Sequence, residues 1–502
     1  MDISAAVTTA ITTLRRRPAD LLPLYVLGAA VPVVARAVVA FGFVVSYLYL
    51  EVTGRLDALR EAVVAGDVQP PDPDAGEEEL LAWSEEVLPL LEPLASPVVW
   101  AATVGGLAAA FVLFVVLYFA VAGGRISACD ARLRDEAGVA AGLVGGKRYW
   151  ASFLGLFIFE AILWIGLLTI GSLVVGLATL AGPIGVVVGV LVAPVVVAAL
   201  AVVRLVFVFA PVAVVVDERS AFDGVRAGLG FLRTQTVQAV MYALLAVLLL
   251  SGLAGIGVGL SLVGAGTVVG LLGLLVVTPF LDLLKTGLYA DFRESIDPPE
   301  PPERSYGTQF LDGLGRGWRE MVGFVRETPL AHGIATAALL VGFASGWLFV
   351  GPFVGLTETS IAERVDELVF GVAALEFFAN NWTVTLTLGF SGLGFAAPAV
   401  VSLWFNGLVF GIVGRLEVDP IELVAFVVPH GIFEIPAVLI AGAVGLRLGV
   451  VGWRAARGRI GTGDVAGALH RAFWILVGVG VLLAVAGFIE GVISPYYYQP
   501  FL

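Results

Sequence analysis

The chain has 502 residues, of which 59% are apolar and 14% charged, and its formal net charge is −13. Soluble domains are about half apolar and about a quarter charged, so this composition excludes one. The acidic balance argues against a nucleic-acid partner, which needs basic patches, and the lone Cys129 excludes an intrachain disulfide and a multi-cysteine metal site.

In chain order, apolar runs with almost no charge near 19–49, 97–123, 150–178, 183–211, 237–262, 264–290, 331–351, 370–391, 394–414, 421–448 and 471–494 predict about eleven membrane spans. Each is long enough, at about 1.5 Å per residue, to cross a hydrocarbon core of about 30 Å as a helix. A barrel would need alternating apolar and polar residues, and these runs do not alternate. The expected fold is all-α, a polytopic transmembrane helical bundle. The opening "MDISAAVTTAITTLRRRPADLL" sets its arginines beside a run too long for a signal-peptide core, so no cleavable signal is expected.

Basic residues cluster before the first run, after the second, fourth and tenth, and between 293 and 326. The positive-inside rule then places the N-terminus in the cytoplasm and the C-terminus outside a cell membrane crossed many times. The acidic loop 50–96, the loop 352–369 and the tail "SPYYYQPFL" fall on the outer side. Lysine occurs only as Lys147 and Lys285, and this scarcity, with acidic loops, resembles a salt-loving composition. Within the outer loop, residues 66–94 begin acidic and proline-broken, then carry leucines spaced as a short amphipathic helix.

The stretch "DFRESIDPPEPPERSYG" (291–307) can neither continue a helix nor enter lipid. It predicts a cytoplasmic linker over 291–319 between a six-span domain (1–290) and a five-span domain (320–502). Each domain opens on an amphipathic stretch that ends in Arg and Pro, as surface-lying helices do.

Charged residues inside the first domain are Glu160, Arg204, Asp282 and Lys285, all at the depth of the inner leaflet. Such groups face the bundle interior and pair with one another. The cluster reads either as a structural ion-pair network or as a substrate or lipid-headgroup site opening to the cytoplasm. The stretch "RLVFVFAPVAVVVDERSAFDGVRAGLGFLRTQ" resembles the six-span membrane region attached to some glycerophosphodiester phosphodiesterases, a resemblance that implies fold alone.

The second domain carries more polar signal. Asn380 and Asn381 stand in one run, and Asn406 stands in the next, followed by Gly407 and Gly411. His430 and Glu434 share a helix face at i and i+4, with Gly431, Gly442 and Gly445 around them, and Glu490 sits late in the last run. Glycines at such spacings let helices approach closely, and asparagine amides bond across the gap. The six polar residues are expected to form one intramembrane network, either packing glue or a ligand, ion or proton site. One His with one nearby Glu is too few for a zinc site, so neither metal ligands nor a cofactor is expected. No nucleophile motif is present, which argues against an enzyme.

Phe-x-x-Asn-Asn, then Asn-Gly-x-x-x-Gly, "PHGIFEIPA" and "FIEGVISP" together resemble the stage II sporulation protein M family over roughly 320–500. The family's motif positions fall on Asn380, Asn381, Asn406, Gly407, His430, Gly431, Glu434 and Glu490. The resemblance implies a non-enzymatic membrane scaffold or remodelling component that organises envelope proteins. The alternative is a transporter or lipid-handling protein with a site at His430, Glu434 and Asn406. Expected partners are membrane lipids and other membrane or envelope proteins, with a homo-oligomer as a further option and no nucleic acid.

Overall fold

The computed structural model describes residues 1–57, 61, 76–91, 94–180, 182–294, 296–297, 299–355, 357–366 and 371–497. The proline-broken part of the outer loop (66–75) and the end of the C-terminal tail lie outside the described residues. The first helices in chain order are α1 (Ile3–Arg16), α2 (Leu22–Val52), α3 (Glu77–Leu91), α4 (Pro97–Leu133), α5 (Gly138–Thr179) and α6 (Pro183–Val216). They are followed by α7 (Ala221–Thr234), α8 (Thr236–Ser261), α9 (Thr267–Arg293), α10 (Tyr306–Glu327) and α11 (Pro329–Phe349). The last are α12 (Ile361–Asp366), α13 (Val372–Ser391), α14 (Ala397–Leu416), α15 (Pro420–Ala456), α16 (Thr462–Ile493) and α17 (Ser494–Tyr497). Among the described residues there is no strand, only isolated bridges at Val354–Thr357 and Thr359–Glu417.

Ten of these helices are long and apolar enough to cross a membrane. The eleventh expected span is α13. Its 20 residues would reach across, but Glu376, Asn380, Asn381 and three threonines keep it from being apolar enough. The outer-loop amphipathic stretch forms α3, with Leu80, Leu81, Leu88 and Leu91 exposed.

Local signals set the helix ends. Asp2 Oδ1 accepts from the Ala5 amide at 2.7 Å, Ser220 Oγ accepts from Asp223 at 3.3 Å, and prolines open α6 and α11. Asp20, in a 3₁₀ turn, accepts from the amides of Gly138 and Val139 at 3.1 and 3.3 Å and so caps α5 from elsewhere in the chain.

The chain forms two compact units. The first comprises Met1–Ala29, Val115–Arg316 and Ala455–Trp474; the second comprises Ala30–Phe114, Gly317–Arg454 and Ile475–Leu502. This grouping differs from a simple division at 291–319, because long helices such as α2 and α4 contribute residues to both units. The core of the first unit centres on Phe209, Phe231 and Tyr289, with ring centroids 4.5 and 5.5 Å apart along the series. At its edge Asp217 accepts from Tyr289 Oη at 2.9 Å and pairs with Arg293 at 2.8 Å.

In the second unit α11 and α14 meet along a glycine seam. A Cβ at Gly407 would collide with the Leu339 carbonyl and one at Gly411 with the Phe343 carbonyl. Reciprocally, Gly342 faces the Trp404 carbonyl and Gly346 the Leu408 carbonyl. Backbone-to-backbone approach of this kind is what small-xxx-small spacing allows.

Candidate functional site

α15 opens on Asp419, whose Oδ1 accepts from the amides of Ile421 and Glu422 at 2.8 and 3.2 Å. It then runs as one 37-residue helix through Pro429 and Pro436. A proline supplies no amide hydrogen, so the carbonyls of Ala425 and Ile432 lose their usual i+4 donors. Between the two prolines, His430 and Glu434 lie one turn apart on one face, with Nε2 and Oε2 3.9 Å apart.

The third member comes from α16. That helix closes in a π turn, Ile489–Ile493, and the turn carries Glu490. π turns re-aim side chains relative to the preceding helix and recur at functional sites. One ligand atom from each of His430, Glu434 and Glu490 lies within 4.8 Å of the other two. Sequence spacing counted two candidate ligands here; the π turn supplies another, which corrects the expectation that the set is too small for a metal.

His430 is only 5% exposed. The Phe426 ring meets its imidazole edge-on at 5.4 Å, and Phe426 itself packs against Ile361. Buried Ser494, directly after the π turn, donates to the Phe426 carbonyl at 3.5 Å. The chain before α15 is tied down by Glu417, which accepts from the Ile361 amide at 2.8 Å and from Thr359 Oγ1 at 3.1 Å. The Phe426 backbone makes a weak contact to the imidazole, yet Nδ1 of His430 has no hydrogen bond of ordinary geometry. Oε2 of Glu490 is likewise buried without a partner. Buried polar atoms are paired in the great majority of cases, so two orphans in one cluster call for an explanation.

Imidazole nitrogen with two carboxylate oxygens is a donor set that suits divalent first-row transition ions. Ligand bonds of about 2.0–2.2 Å put donors about 3.3–3.5 Å apart in a tetrahedral site. The observed spacing closes to that with shifts of under about 1 Å, within reach of flexible glutamate arms.

The asparagines of the predicted network bond within their own helices. Asn380 is exposed and its Nδ2 donates to Asn381 Oδ1 at 3.2 Å. Asn406 donates to the Ser402 carbonyl of its own helix at 2.7 Å. An asparagine satisfied by its own turn has no need of a neighbour. Gly442 and Gly445 do pack closely, against Leu403 and Ala399. Gly431 does not: a Cβ there would make ordinary contacts at 3.5 and 3.7 Å with Val427 and Ile435 of its own helix.

In the first unit, the expected inner-leaflet cluster separates into two pairs. Arg204 bonds Glu160 at 3.0 Å. Asp282 bonds Lys285 at 2.7 Å, accepts from Tyr25 Oη at 3.0 Å and stands 3.8 Å from Arg125 Nε. Tyr25 also lies 3.5 Å from Cys129 Sγ, and the Arg125 guanidinium lies over the Tyr25 ring. Sequence reasoning missed Tyr25 and Arg125; both sit near span ends, where such residues serve commonly as interface anchors.

Ten long apolar helices, with charged groups inside them drawn into pairs and clusters, define a multi-pass integral membrane protein. Residues 335–495 match the family Stage II sporulation protein M, and His430, Glu434 and Glu490 all lie within the match. The chain is 25% identical over 112 residues to the uncharacterized protein MJ0793 of Methanocaldococcus jannaschii, covering 22% of this chain and 62% of that one. It is 30% identical over 128 residues to the uncharacterized transporter YrhG of Bacillus subtilis, covering 24% and 44%. The chain thus spans less than two thirds of either relative. No solved structure matches it.

Proposed function

We propose that this protein is a non-enzymatic membrane transporter that takes a divalent transition-metal cation at His430, Glu434 and Glu490. The observation that carries this reading is the convergence of three ligand atoms, with Nδ1 of His430 and Oε2 of Glu490 buried and unpaired. A cation between the carboxylates offsets the cost of burying them, which no arginine or lysine among the described residues of the site does. The prolines and the π turn supply locally loosened helix where an ion has to enter and leave. The word "transporter" in the name of the Bacillus subtilis relative agrees with this reading. A scaffold for envelope proteins, the role implied by the sporulation family, needs only a core that closes on itself. The two orphaned atoms favour a binding site over that role. Both carboxylates act as ligands, which leaves none as a general base for hydrolysis. The arginine distribution supports a cytoplasmic N-terminus.

The test uses the full-length protein. Zn²⁺ and Mn²⁺ bound per chain are measured on purified protein, and uptake is followed in proteoliposomes holding a metal-sensitive dye. Wild type is expected to bind about one ion per chain, for the one set of three ligands, and to raise uptake above empty liposomes. His430→Gln, Glu434→Gln and Glu490→Gln should fold and lose both. Binding without uptake would return the protein to the scaffold reading, with the ion as a structural element. Wild type that binds neither ion would overturn the cation site.

A further inference from the structure

The first unit contains a cleft of about 620 Å³ where the end of α1 and the turn after it face the start of α10 and residues 470–474 of α16. Five arginines line it, Arg15, Arg16, Arg17, Arg304 and Arg316, against two aspartates, Asp20 and Asp312. Both aspartates are engaged. Asp20 caps α5 and faces Arg132 at 3.7 Å, and Asp312 is held by Arg304 at 2.7 Å. Arg15 stacks 3.4 Å over the Tyr306 ring and donates to the Gln309 side chain and the Arg304 carbonyl, which leaves its charge unneutralised. Arg16 comes no nearer to a carboxylate than 3.8 Å, at Asp135, and Arg17 forms no ion pair among the described residues.

Arg316 shows how rigidly the wall is built. Arginine and the indole N–H can only donate, and both Arg316 Nη2 and Trp474 Nε1 lie 3.2 Å from His470 Nε2. That nitrogen therefore accepts from both, which places the ring proton on Nδ1. The Arg316 guanidinium lies 4.6 Å over the Trp474 ring. Arg15, Arg17 and Arg316, outside any ion pair among the described residues, and Arg16, 3.8 Å from Asp135, repel one another unless an anion sits among them.

We propose that this cleft binds a phosphate-bearing group. Guanidinium forks match phosphate oxygens two at a time, and a planar cation stacked on an aromatic ring holds that geometry. The volume falls in the range of small-molecule sites, about 300–1,000 Å³, and exceeds what a bare phosphate fills. The cleft lies just before the start of α2, a helix long and apolar enough to cross a membrane, so a lipid headgroup is one candidate occupant. A phospholipid headgroup and a soluble phosphoester share this chemistry.

Two measurements on the full chain separate the sources. In one, protein in nanodiscs of phosphatidylcholine with and without phosphatidylglycerol is analysed by native mass spectrometry for retained lipid. In the other, binding of inorganic pyrophosphate is titrated calorimetrically in phosphatidylcholine nanodiscs. Arg17→Gln and Arg16→Gln are the variants, because Arg17 forms no ion pair among the described residues and Arg16 only a long one, at 3.8 Å, to exposed Asp135, and unchanged thermal unfolding checks this. Saturable binding in either arm that each variant weakens about tenfold, equivalent to about 1.4 kcal/mol, supports the site. Retained phosphatidylglycerol alone identifies a headgroup; pyrophosphate binding identifies a soluble ligand. Binding in neither arm, or binding indifferent to both variants, overturns the proposal.

Discussion

The Asp282 node and the His430 cluster meet the same problem, ionisable groups inside membrane helices, and end differently. Each lies at or near a π turn, Gly273–Val277 before Asp282 and Ile489–Ile493 around Glu490. Asp282 has two cations and a phenol within 3.8 Å, and each of its oxygens is engaged. Among the described residues the His430 cluster contains no lysine or arginine, His430 and Glu434 stand 3.9 Å apart, and two buried atoms stay without a hydrogen bond, against Arg125 Nε alone at the node. Burying a charge is costly in both places. In the first unit the protein's own side chains offset that cost; in the second the offset is left to something that arrives. On the proposed reading, the difference is that between a structural ion pair and a binding site.

The largest effect expected from breaking this comparison falls on the node. Asp282→Ala leaves Lys285 and Arg125 buried without a counter-charge and should cost about 3–5 kcal/mol, read as a fall in the thermal unfolding midpoint of the purified protein. Glu490→Gln removes a charge that has no partner, so its unfolding midpoint should match wild type or exceed it. Equal losses in the two variants would mean that both regions are structural. A ligand effect comes next in size. At a free cation concentration 100 times its Kd, Zn²⁺ should stabilise the wild type by about 2.7 kcal/mol and leave His430→Gln unmoved. A His430→Gln protein that responds as wild type does would put the cation elsewhere.

How much of this was legible depended on whether the determinant was local. Continuous apolar runs predicted ten of the spans directly, and α13 differed because its polar residues dilute it. His430 and Glu434 could be paired from spacing, since i and i+4 share a face. Glu490 could be grouped with them in one polar network but not counted as a third ligand, because it lies far along the chain and a π turn carries it. Spacing also could not show that Asn380 bonds Asn381 and that Asn406 bonds its own backbone, since an amide inside a helix has both options. The glycine seam was half read. Gly407 and Gly411 stood out, while Gly342 and Gly346 carry the same spacing in "LLVGFASGW" and complete it.

Glycines offer a sharper contrast at smaller energies. Gly407→Val drives a side chain into the Leu339 carbonyl and should cost about 1–3 kcal/mol by overpacking. Gly431→Ala meets only ordinary contacts at 3.5 Å and should gain up to about 1 kcal/mol from helix propensity. Paired melting curves of the two variants check the sign of each. A loss at Gly431 matching that at Gly407 would restore it as a close-packing position.

The smallest effect lies outside the membrane, at Asp135, between α4 and α5. Its hydrogen bond from Arg132, followed by the charge of Arg16, holds its carboxyl below the usual carboxylate value, although the side chain is exposed. A depressed folded value means that its contribution is fully present above the unfolded carboxylate value, about 3.9, and is lost as pH falls through the folded one. Wild type should therefore melt slightly above Asp135→Asn at neutral pH, and the gap should close only in strong acid. High salt should shrink the same gap at neutral pH, since exposed pairs are screened. A gap that persists at low pH would assign the difference to backbone conformation at this residue, whose φ of 60° suits asparagine as well as aspartate.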